Sequence, residues 1–194
     1  MTFNLMIAGV GGQGTVLASK LVAAAAMKRG FDVRTTETIG MAQRGGSVFG
    51  HCRIGENIFS PLIPVGKANA LIAFEPAEAV RQLRYLGKDG VVIACDTAIQ
   101  PVGSGNSYEA AVTIDYLKAN THKLILIDGQ KFNGLIAAAG CSSKTLNVSL
   151  LGAAAQSGVF PFDAETIIEI LPEMLPQRFL EMNLKAFEIG RKLV

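Results

Sequence analysis

The residues best suited to bind a ligand are four glycines near the start of the chain. Gly9, Gly11, Gly12 and Gly14 lie in the run Gly-Val-Gly-Gly-Gln-Gly, which contains the pattern Gly-x-Gly-x-x-Gly. Glycine lets the backbone approach a phosphate closely, and the N-terminus of a following helix favours an anion. We therefore predict that these glycines bind a cofactor. The alternative is a close helix–strand crossing that requires small residues.

Two kinds of nucleotide site use a turn of this type. A Walker loop requires lysine after the last glycine, and this chain has Thr15 there, which excludes it. A nicotinamide dinucleotide site requires an acid at the end of the second strand, about 20 residues further on. Glu37 is the available acid and lies later than that spacing. Dinucleotide binding is therefore the weaker alternative.

A second candidate site is a loop that carries one arginine between glycines. It reads Gly-Met-Ala-Gln-Arg-Gly-Gly-Ser and ends at Ser47. The guanidinium of Arg44 can hold a carboxylate or phosphate through two parallel hydrogen bonds. The predicted contacts with substrate or a partner chain are those of Met41, Gln43, Arg44 and Ser47. The alternative is a solvated arginine in an ordinary loop.

Residues typical of catalysis or metal binding form no recognisable set. His51 and His122 lie in no metal-binding motif, and no serine lies in Gly-x-Ser-x-Gly. The three cysteines are far apart and form no C-x-x-C pair: Cys52, Cys95 and Cys141. We predict no catalytic residue and no metal site in this chain. Its chemistry is then supplied from outside the chain.

The elements that position these residues alternate as in an α/β protein. Strands are predicted at 3–8, 31–36, 70–74, 90–95 and 123–128. Helices are predicted between them at 15–29, 76–85 and 108–119. A strand at 47–54 with a return at 58–60 predicts an inserted antiparallel ribbon. Helices alone follow at 130–139, 145–157, 163–171 and 177–192.

These elements predict one domain over residues 1–194. Its architecture is three-layer α/β, with a mostly parallel, Rossmann-like sheet, the inserted ribbon and a C-terminal helical tail packed on the domain or on a partner. Glu75 and Asp128 follow predicted strands directly. Open α/β sheets bind ligands at such carboxyl ends.

Composition limits the class of protein. The 194 residues are 49% hydrophobic and 18% charged, which excludes a disordered chain. A net charge of +2 argues against binding of nucleic acid or of a membrane surface, and the apolar stretches are too short to span a bilayer. Unpaired thiols and a start without a basic region predict no signal peptide and a cytoplasmic location. Low charge with high apolar content predicts that a partner covers part of the surface.

Several stretches of the chain resemble the gamma subunits of 2-oxoacid:ferredoxin oxidoreductases. The most specific is Gly-Met-Ala-Gln-Arg-Gly-Gly-Ser-Val at 40–48. The others lie at 9–14, 60–64, 74–79, 147–152 and 183–187. The resemblance runs from residue 5 to about residue 190. Within the family, the chain is most similar to members that act on indolepyruvate.

The resemblance implies an accessory subunit that is inactive alone. The assembled enzyme would decarboxylate a 2-oxoacid oxidatively to an acyl-CoA and pass electrons to ferredoxin. Thiamine diphosphate and iron–sulfur clusters would be bound by a larger partner subunit. The glycine turn and Arg44 are then candidates to contact CoA or the mouth of the partner's active site, because phosphates suit both.

The residues leave two other functions open. One is a nucleotide-dependent oxidoreductase that uses the glycine turn, and the other is a non-catalytic binding module that associates with itself. The apolar composition is also compatible with a homodimer of the isolated chain.

Overall fold

A computed structural model describes residues 2–38, 44–100 and 108–194. Six strands form one sheet: β1 (Phe3–Val10), β2 (Asp32–Glu37), β3 (Ser47–Gly55), β4 (Ala68–Ala73), β5 (Leu86–Cys95) and β6 (Lys123–Ile127). The helices are α1 (Thr15–Lys28), α2 (Pro76–Gln82), α3 (Ala110–Asn120), α4 (Gly129–Ala138), α5 (Leu146–Gln156), α6 (Ala164–Met174) and α7 (Gln177–Arg191). Short 3-10 turns follow α2 at Leu83–Tyr85 and precede α5 at Ser143–Thr145.

The strand order across the sheet is β2-β3-β1-β4-β5-β6. Strands β1, β4, β5 and β6 are parallel, whereas β3 is antiparallel to both β1 and β2. The predicted α/β class, with a mostly parallel sheet and an antiparallel ribbon, is confirmed. Because β3 lies between β1 and β2, the first and second strands of the chain are not neighbours.

One of the two strands predicted for the antiparallel ribbon is wrong. Residues 58–60, which the structure describes, form no strand, and the partner of β3 in the ribbon is β2. Proline lacks the N–H that a strand ladder requires, and Pro61 follows this segment directly, with Pro64 three residues later. Arg53 holds the segment to β3 instead, because its Nη1 donates to the carbonyl oxygens of Ser60 and Leu62.

Two hydrophobic clusters cover the two faces of the sheet. Successive side chains of a strand point to opposite faces, so Leu5 and Ile7 join one cluster while Met6 and Ala8 join the other. The first cluster contains residues of α1, α4, α5, α6 and α7, and the second contains residues of α2 and α3. The predicted helical tail therefore packs on the domain.

Close packing between α5 and α7 depends on two glycines. A Cβ at Gly190 would overlap the carbonyl oxygen of Ser149, and a Cβ at Gly152 would overlap that of Phe187. The Ser149 hydroxyl donates across the same contact to the carbonyl of Ala186 at 2.7 Å. These contacts fix α5 against α7, with α5 largely buried along its length.

The helices that follow β1 and β4 pack on opposite faces of the sheet. Helix α1, which follows β1, packs on one face, and α2, which follows β4, packs on the other. Neighbouring parallel strands whose helices lie on opposite faces leave a crevice at their carboxyl ends, where open α/β sheets bind ligands. The crevice here lies between Val10 and Phe74.

Candidate functional site

The glycine turn lies at the carboxyl end of β1, on the crevice. Gly12 and Gly14 have φ angles of 104° and 81°, which favour glycine. Gln13, which sequence analysis did not single out, connects the two strands at the crevice. Its Oε1 accepts from the Val10 N–H at 2.7 Å, and its Nε2 donates to the Phe74 carbonyl at 3.1 Å.

The glycines of the turn differ in their surroundings. A Cβ at Gly9 would lie 2.9 Å from Oε1 of Gln13, and a Cβ at Gly14 would overlap Nδ2 of Asn147. At Gly12 no atom of the described residues lies within 4 Å of the Cβ position. Close packing therefore accounts for Gly9 and Gly14, whereas Gly12 faces open space. Within the described residues, no side chain caps the N-terminus of α1.

The structure places the glycine turn against Gly45 and Gly46 of the arginine loop. The Gly11 N–H donates to the Gly46 carbonyl at 2.8 Å, and the Gly45 N–H donates to the Gly11 carbonyl at 3.2 Å. Arg44 is exposed beside this pair of hydrogen bonds. Met41 and Gln43 lie outside the described residues. The two regions that sequence analysis treated separately thus form one hydrogen-bonded surface.

Ser47 connects this surface to α2 through a carboxylate that sequence analysis missed. Its hydroxyl donates to Oε2 of Glu78, and Oε1 of Glu78 accepts from Nε of Arg81 at 3.0 Å. The Glu78 side chain is buried, whereas that of Arg81 is exposed. The helix predicted at 76–85 corresponds to α2 and the 3-10 turn that follows it, but nothing in its sequence marked Glu78 as the partner of Ser47.

Glu75 holds the N-terminus of α2 at the carboxyl end of β4. Its Oε2 accepts from the Glu78 N–H at 3.0 Å, which is the bond of a helix N-cap. Burial raises the pKa of Glu75, while hydrogen bonds from backbone N–H groups oppose that rise. Glu75 is therefore a structural carboxylate at the position that the sequence assigned to a strand end.

Three cavities open along this edge of the sheet, within or close to the size range of ligand pockets. One of about 430 Å³ is lined by residues that include Gly12, Thr15, Glu37, Val48 and Phe49. A second of about 330 Å³ is lined by residues that include Gly12, Gln13, Cys95, Thr97 and Lys144. A third of about 470 Å³ is lined by residues that include Gly46, Ser47, Glu75, Glu78 and Arg81. Gly12 belongs to the first two.

Glu37 lines the first cavity together with three of the glycines. It ends β2, as a dinucleotide site requires, but β3 lies between β2 and β1. The inserted strand moves the carboxylate outward by one strand spacing, about 4.8 Å. Gly50 of β3 makes room for Glu37, since a Cβ there would lie 3.2 Å from Cγ of Glu37.

The thiols and the histidine of the sheet are in environments that suppress their reactivity. Burial, with a smaller effect of Glu37, raises the pKa of Cys52 to about 12, and burial also raises the pKa of Cys95. Burial lowers the pKa of His51, whose Nδ1 accepts from the Ile63 N–H at 3.2 Å. Across residues 2–38, 44–100 and 108–194, no group of three or more His, Cys, Asp or Glu side chains is arranged to hold a metal ion. None of the helices described there has the length and apolar character needed to cross a bilayer.

The fold and the crevice are those of an open α/β protein, a class that binds ligands at the carboxyl ends of its strands. Over residues 4–193 the chain matches the family described as pyruvate ferredoxin/flavodoxin oxidoreductase, and it belongs to that family. The resemblance read from the glycine and arginine motifs is thereby confirmed.

Curated relatives match almost the whole chain. It is 36% identical to indolepyruvate oxidoreductase subunit IorB of Thermococcus kodakarensis, over 98% of this chain and 95% of the relative. It is 38% identical to the subunit of the same name in Archaeoglobus fulgidus, over 98% of this chain and 94% of the relative.

Solved structures show the same fold. The gamma subunit of keto/oxoacid ferredoxin oxidoreductase from Geobacter sulfurreducens superposes with a TM-score of 0.70 at 19% identity, over 100% of this chain and 96% of that chain. A 2-oxoglutarate:ferredoxin oxidoreductase from Magnetococcus marinus, with 2-oxoglutarate, coenzyme A and succinyl-CoA bound, gives a TM-score of 0.70 at 20% identity. That match covers 99% of this chain and 31% of the other, so the fold also occurs inside a longer chain.

Proposed function

We propose that this chain is the accessory subunit of an indolepyruvate oxidoreductase. The observation that carries the proposal is the identity of 36% and 38% to IorB subunits over 98% of the chain. The complex would decarboxylate indolepyruvate oxidatively to an acyl-CoA and reduce ferredoxin. A larger partner subunit would bind thiamine diphosphate and the iron–sulfur clusters.

The described residues of this chain do not fit an iron–sulfur cluster. Cys52 and Cys95 are buried with raised pKa values, and a cluster requires several thiolates that converge on it. Cluster binding is therefore assigned to the partner.

A phosphate of CoA fits the crevice better. The uncapped N-terminus of α1 favours an anion, and Gly12 leaves the approach open. Lys144 lines the adjoining cavity and adds a cation. When bound, CoA would supply the thiol that accepts the acyl group. This chain would orient it by its phosphates, through the backbone of the glycine turn.

The arginine loop is proposed to contact the partner subunit. Arg44 is exposed, and the backbone of Gly45 and Gly46 is hydrogen-bonded to Gly11. The loop can therefore present its guanidinium to a carboxylate or phosphate outside this chain without disturbing the fold. Met41, Gln43 and Ser47 are proposed to belong to the same contact surface.

Co-expression with a larger, thiamine-binding subunit tests the proposed function. The two chains should co-purify and reduce a viologen dye when indolepyruvate and CoA are supplied. The isolated chain should reduce no dye and show no visible iron–sulfur absorption. Pyruvate and 2-oxoglutarate serve as control substrates, and a complex that prefers either of them would contradict the assignment to indolepyruvate. Dye reduction by the isolated chain would contradict the accessory role.

Nucleotide binding is a second candidate function, favoured by the position of Glu37 in the same cavity as the glycines. Titration of the isolated chain with NADH or NADPH, followed by the nicotinamide fluorescence, tests it. Tight binding would favour this candidate over the accessory subunit. A third candidate is a binding module that associates with itself. Size-exclusion chromatography of the chain, with and without the larger subunit, distinguishes this candidate from the accessory subunit.

A further inference from the structure

A separate cavity lies at the opposite ends of the strands, where the parallel strands begin. Its volume is about 310 Å³, and its walls are formed by the apolar side chains of Phe3, Phe31, Ile54, Val159, Phe160 and Pro161. Thr2, Glu56 and Asn69 add polar atoms to the lining. Strand β1 runs its whole length between this cavity and the glycine turn, roughly 20–25 Å for eight residues. The cavity is therefore distinct from the crevice described above.

The aromatic walls come from three separate segments and support one another. Phe3 lies in β1, Phe31 directly precedes β2, and Phe160 follows α5. The rings of Phe3 and Phe160 meet edge to face, with centroids 6.4 Å apart and an angle of 77°. Phe160 also stacks on Phe162 at 5.2 Å and is only 7% exposed. Rings held in this way form a preorganised apolar surface, which favours the flat face of an aromatic ligand.

The rim of this cavity carries one carboxylate, that of Glu56. Glu56, in the turn after β3, lines the cavity, is exposed, and takes part in no ion pair among the residues that the structure describes. The next residue, Asn57, donates its N–H to Oδ2 of Asp32 at 2.9 Å, which places a second carboxylate beside the same turn. The Glu56 carboxylate beside the aromatic lining favours a cation by direct attraction, and the faces of the rings add to it.

We propose that this cavity binds a small aromatic ammonium compound. The phenylalanine walls would hold one or two fused rings, because a volume of about 310 Å³ lies at the small end of ligand pockets. The carboxylate of Glu56 would bind the ammonium group at the rim. The site is independent of the proposed function, since it uses none of the residues of the crevice.

Tryptamine is a suitable probe, because it joins an indole ring to an ammonium group. The chain has no tryptophan, so indole fluorescence excited away from tyrosine reports the ligand alone. Titration of tryptamine with the isolated full-length chain should give a saturable rise in fluorescence anisotropy. The variant Val159→Phe, which fills the cavity, should abolish that rise. The control Phe59→Ala removes a phenylalanine that is 90% exposed outside the cavity, and it should bind tryptamine as the wild type does.

The charge at the rim is tested without altering the apolar walls. Glu56→Gln should weaken tryptamine binding by about fivefold, as expected for a partly exposed ion pair. The same variant should bind neutral indole as the wild type does. Asp89→Asn, which removes an exposed carboxylate elsewhere, should change neither affinity.

Two outcomes would overturn the proposal. One is the absence of saturable tryptamine binding to the wild-type chain. The other is a Glu56→Gln variant that binds tryptamine and indole with wild-type affinity. Circular dichroism shows whether Val159→Phe folds. If it does not, the affinities of Glu56→Gln for tryptamine and for indole still test the proposal. None of these measurements needs the partner subunit, so they are independent of the test of the proposed function.

Discussion

The side-chain amide of Asn147, at the start of α5, donates a hydrogen bond to the carbonyl oxygen of Gly14 at 3.3 Å. The same carbonyl accepts the first helical bond of α1, from the Ala18 N–H at 3.1 Å. Asn147 is buried and leaves no room for a Cβ at Gly14. The last glycine of the turn is thus fixed by a residue 133 positions further along the chain.

This contact predicts different effects for two glycines of one turn. Gly14→Ala should lower the free energy of unfolding by about 2–4 kcal/mol, because it combines an unfavourable φ with overlap of Asn147. Gly12→Ala is the matched control and should cost about 1 kcal/mol, because it has the strain without the overlap. Denaturant unfolding of the isolated chain measures both. Equal losses would show that Asn147 does not constrain Gly14.

The same pair of variants separates anion binding from packing. If Gly12 approaches a phosphate, Gly12→Ala should weaken CoA binding to the assembled complex by about tenfold. Gly12→Ala should then lower the affinity for CoA although it lowers the free energy of unfolding less than Gly14→Ala does. Unchanged CoA affinity in Gly12→Ala would assign the glycine turn to packing alone.

Glu78→Gln should loosen the connection between Ser47 and α2. The buried carboxylate accepts from the Ser47 hydroxyl and from Nε of Arg81, and an amide can accept on only one of its two atoms. We expect a loss of about 1–3 kcal/mol in the free energy of unfolding, measured by denaturant titration. Arg81→Gln keeps the Ser47 hydrogen bond and removes only the exposed partner, so it should cost less than Glu78→Gln. A cost for Arg81→Gln as large as that of Glu78→Gln would contradict this assignment.

His51 should make stability depend on pH in the acidic range. Its Nδ1 accepts from the Ile63 N–H, and burial lowers the pKa of the ring below 6.5. The unfolded chain therefore takes up the proton first as the pH falls, so the folded state loses stability below pH 6.5. Thermal unfolding measured between about pH 7 and pH 5 should show a decline that His51→Gln removes. The control His122→Gln changes an exposed histidine and should keep the wild-type decline.

The fold was predictable where the signal is local. The apolar run of β1, the glycine turn and the start of α2 at Pro76 follow from residues within a few positions of one another. The ribbon was only partly predictable, because pairing of β3 with β2 rather than with residues 58–60 is decided by strands from different parts of the chain.

The motifs of the candidate site were predictable from the sequence, whereas their partners in the fold were not. Gly12 and Arg44 belong to short motifs, but what surrounds them comes from elsewhere. Ser47 is 31 positions from Glu78, and Gly14 is 133 positions from Asn147. No local pattern marks a buried glutamate or asparagine as the partner of a particular loop. Such partners follow only from the order of the strands and from the faces on which the helices pack.

Arg44 gives the most direct test of the proposed contact with a partner subunit. The side chain is exposed in the isolated chain, and the two residues after it, Gly45 and Gly46, are hydrogen-bonded through their backbone to Gly11. Removal of an exposed side chain changes stability by less than about 0.5 kcal/mol. The melting temperature of the isolated Arg44→Ala variant should therefore stay close to that of the wild type.

In the assembled complex the same substitution should have a large effect. Truncation of one member of a buried, hydrogen-bonded charge pair at an interface costs about 2–5 kcal/mol. Arg44→Ala should therefore lower either the affinity between the subunits or the turnover with indolepyruvate by at least about tenfold, equivalent to about 1.4 kcal/mol. Arg34→Ala, which removes an exposed arginine of β2, is the matched control and should change neither quantity. Wild-type assembly together with wild-type turnover in Arg44→Ala would show that this arginine is an ordinary solvated residue, because a charge buried against the partner cannot be removed without loss of binding or activity.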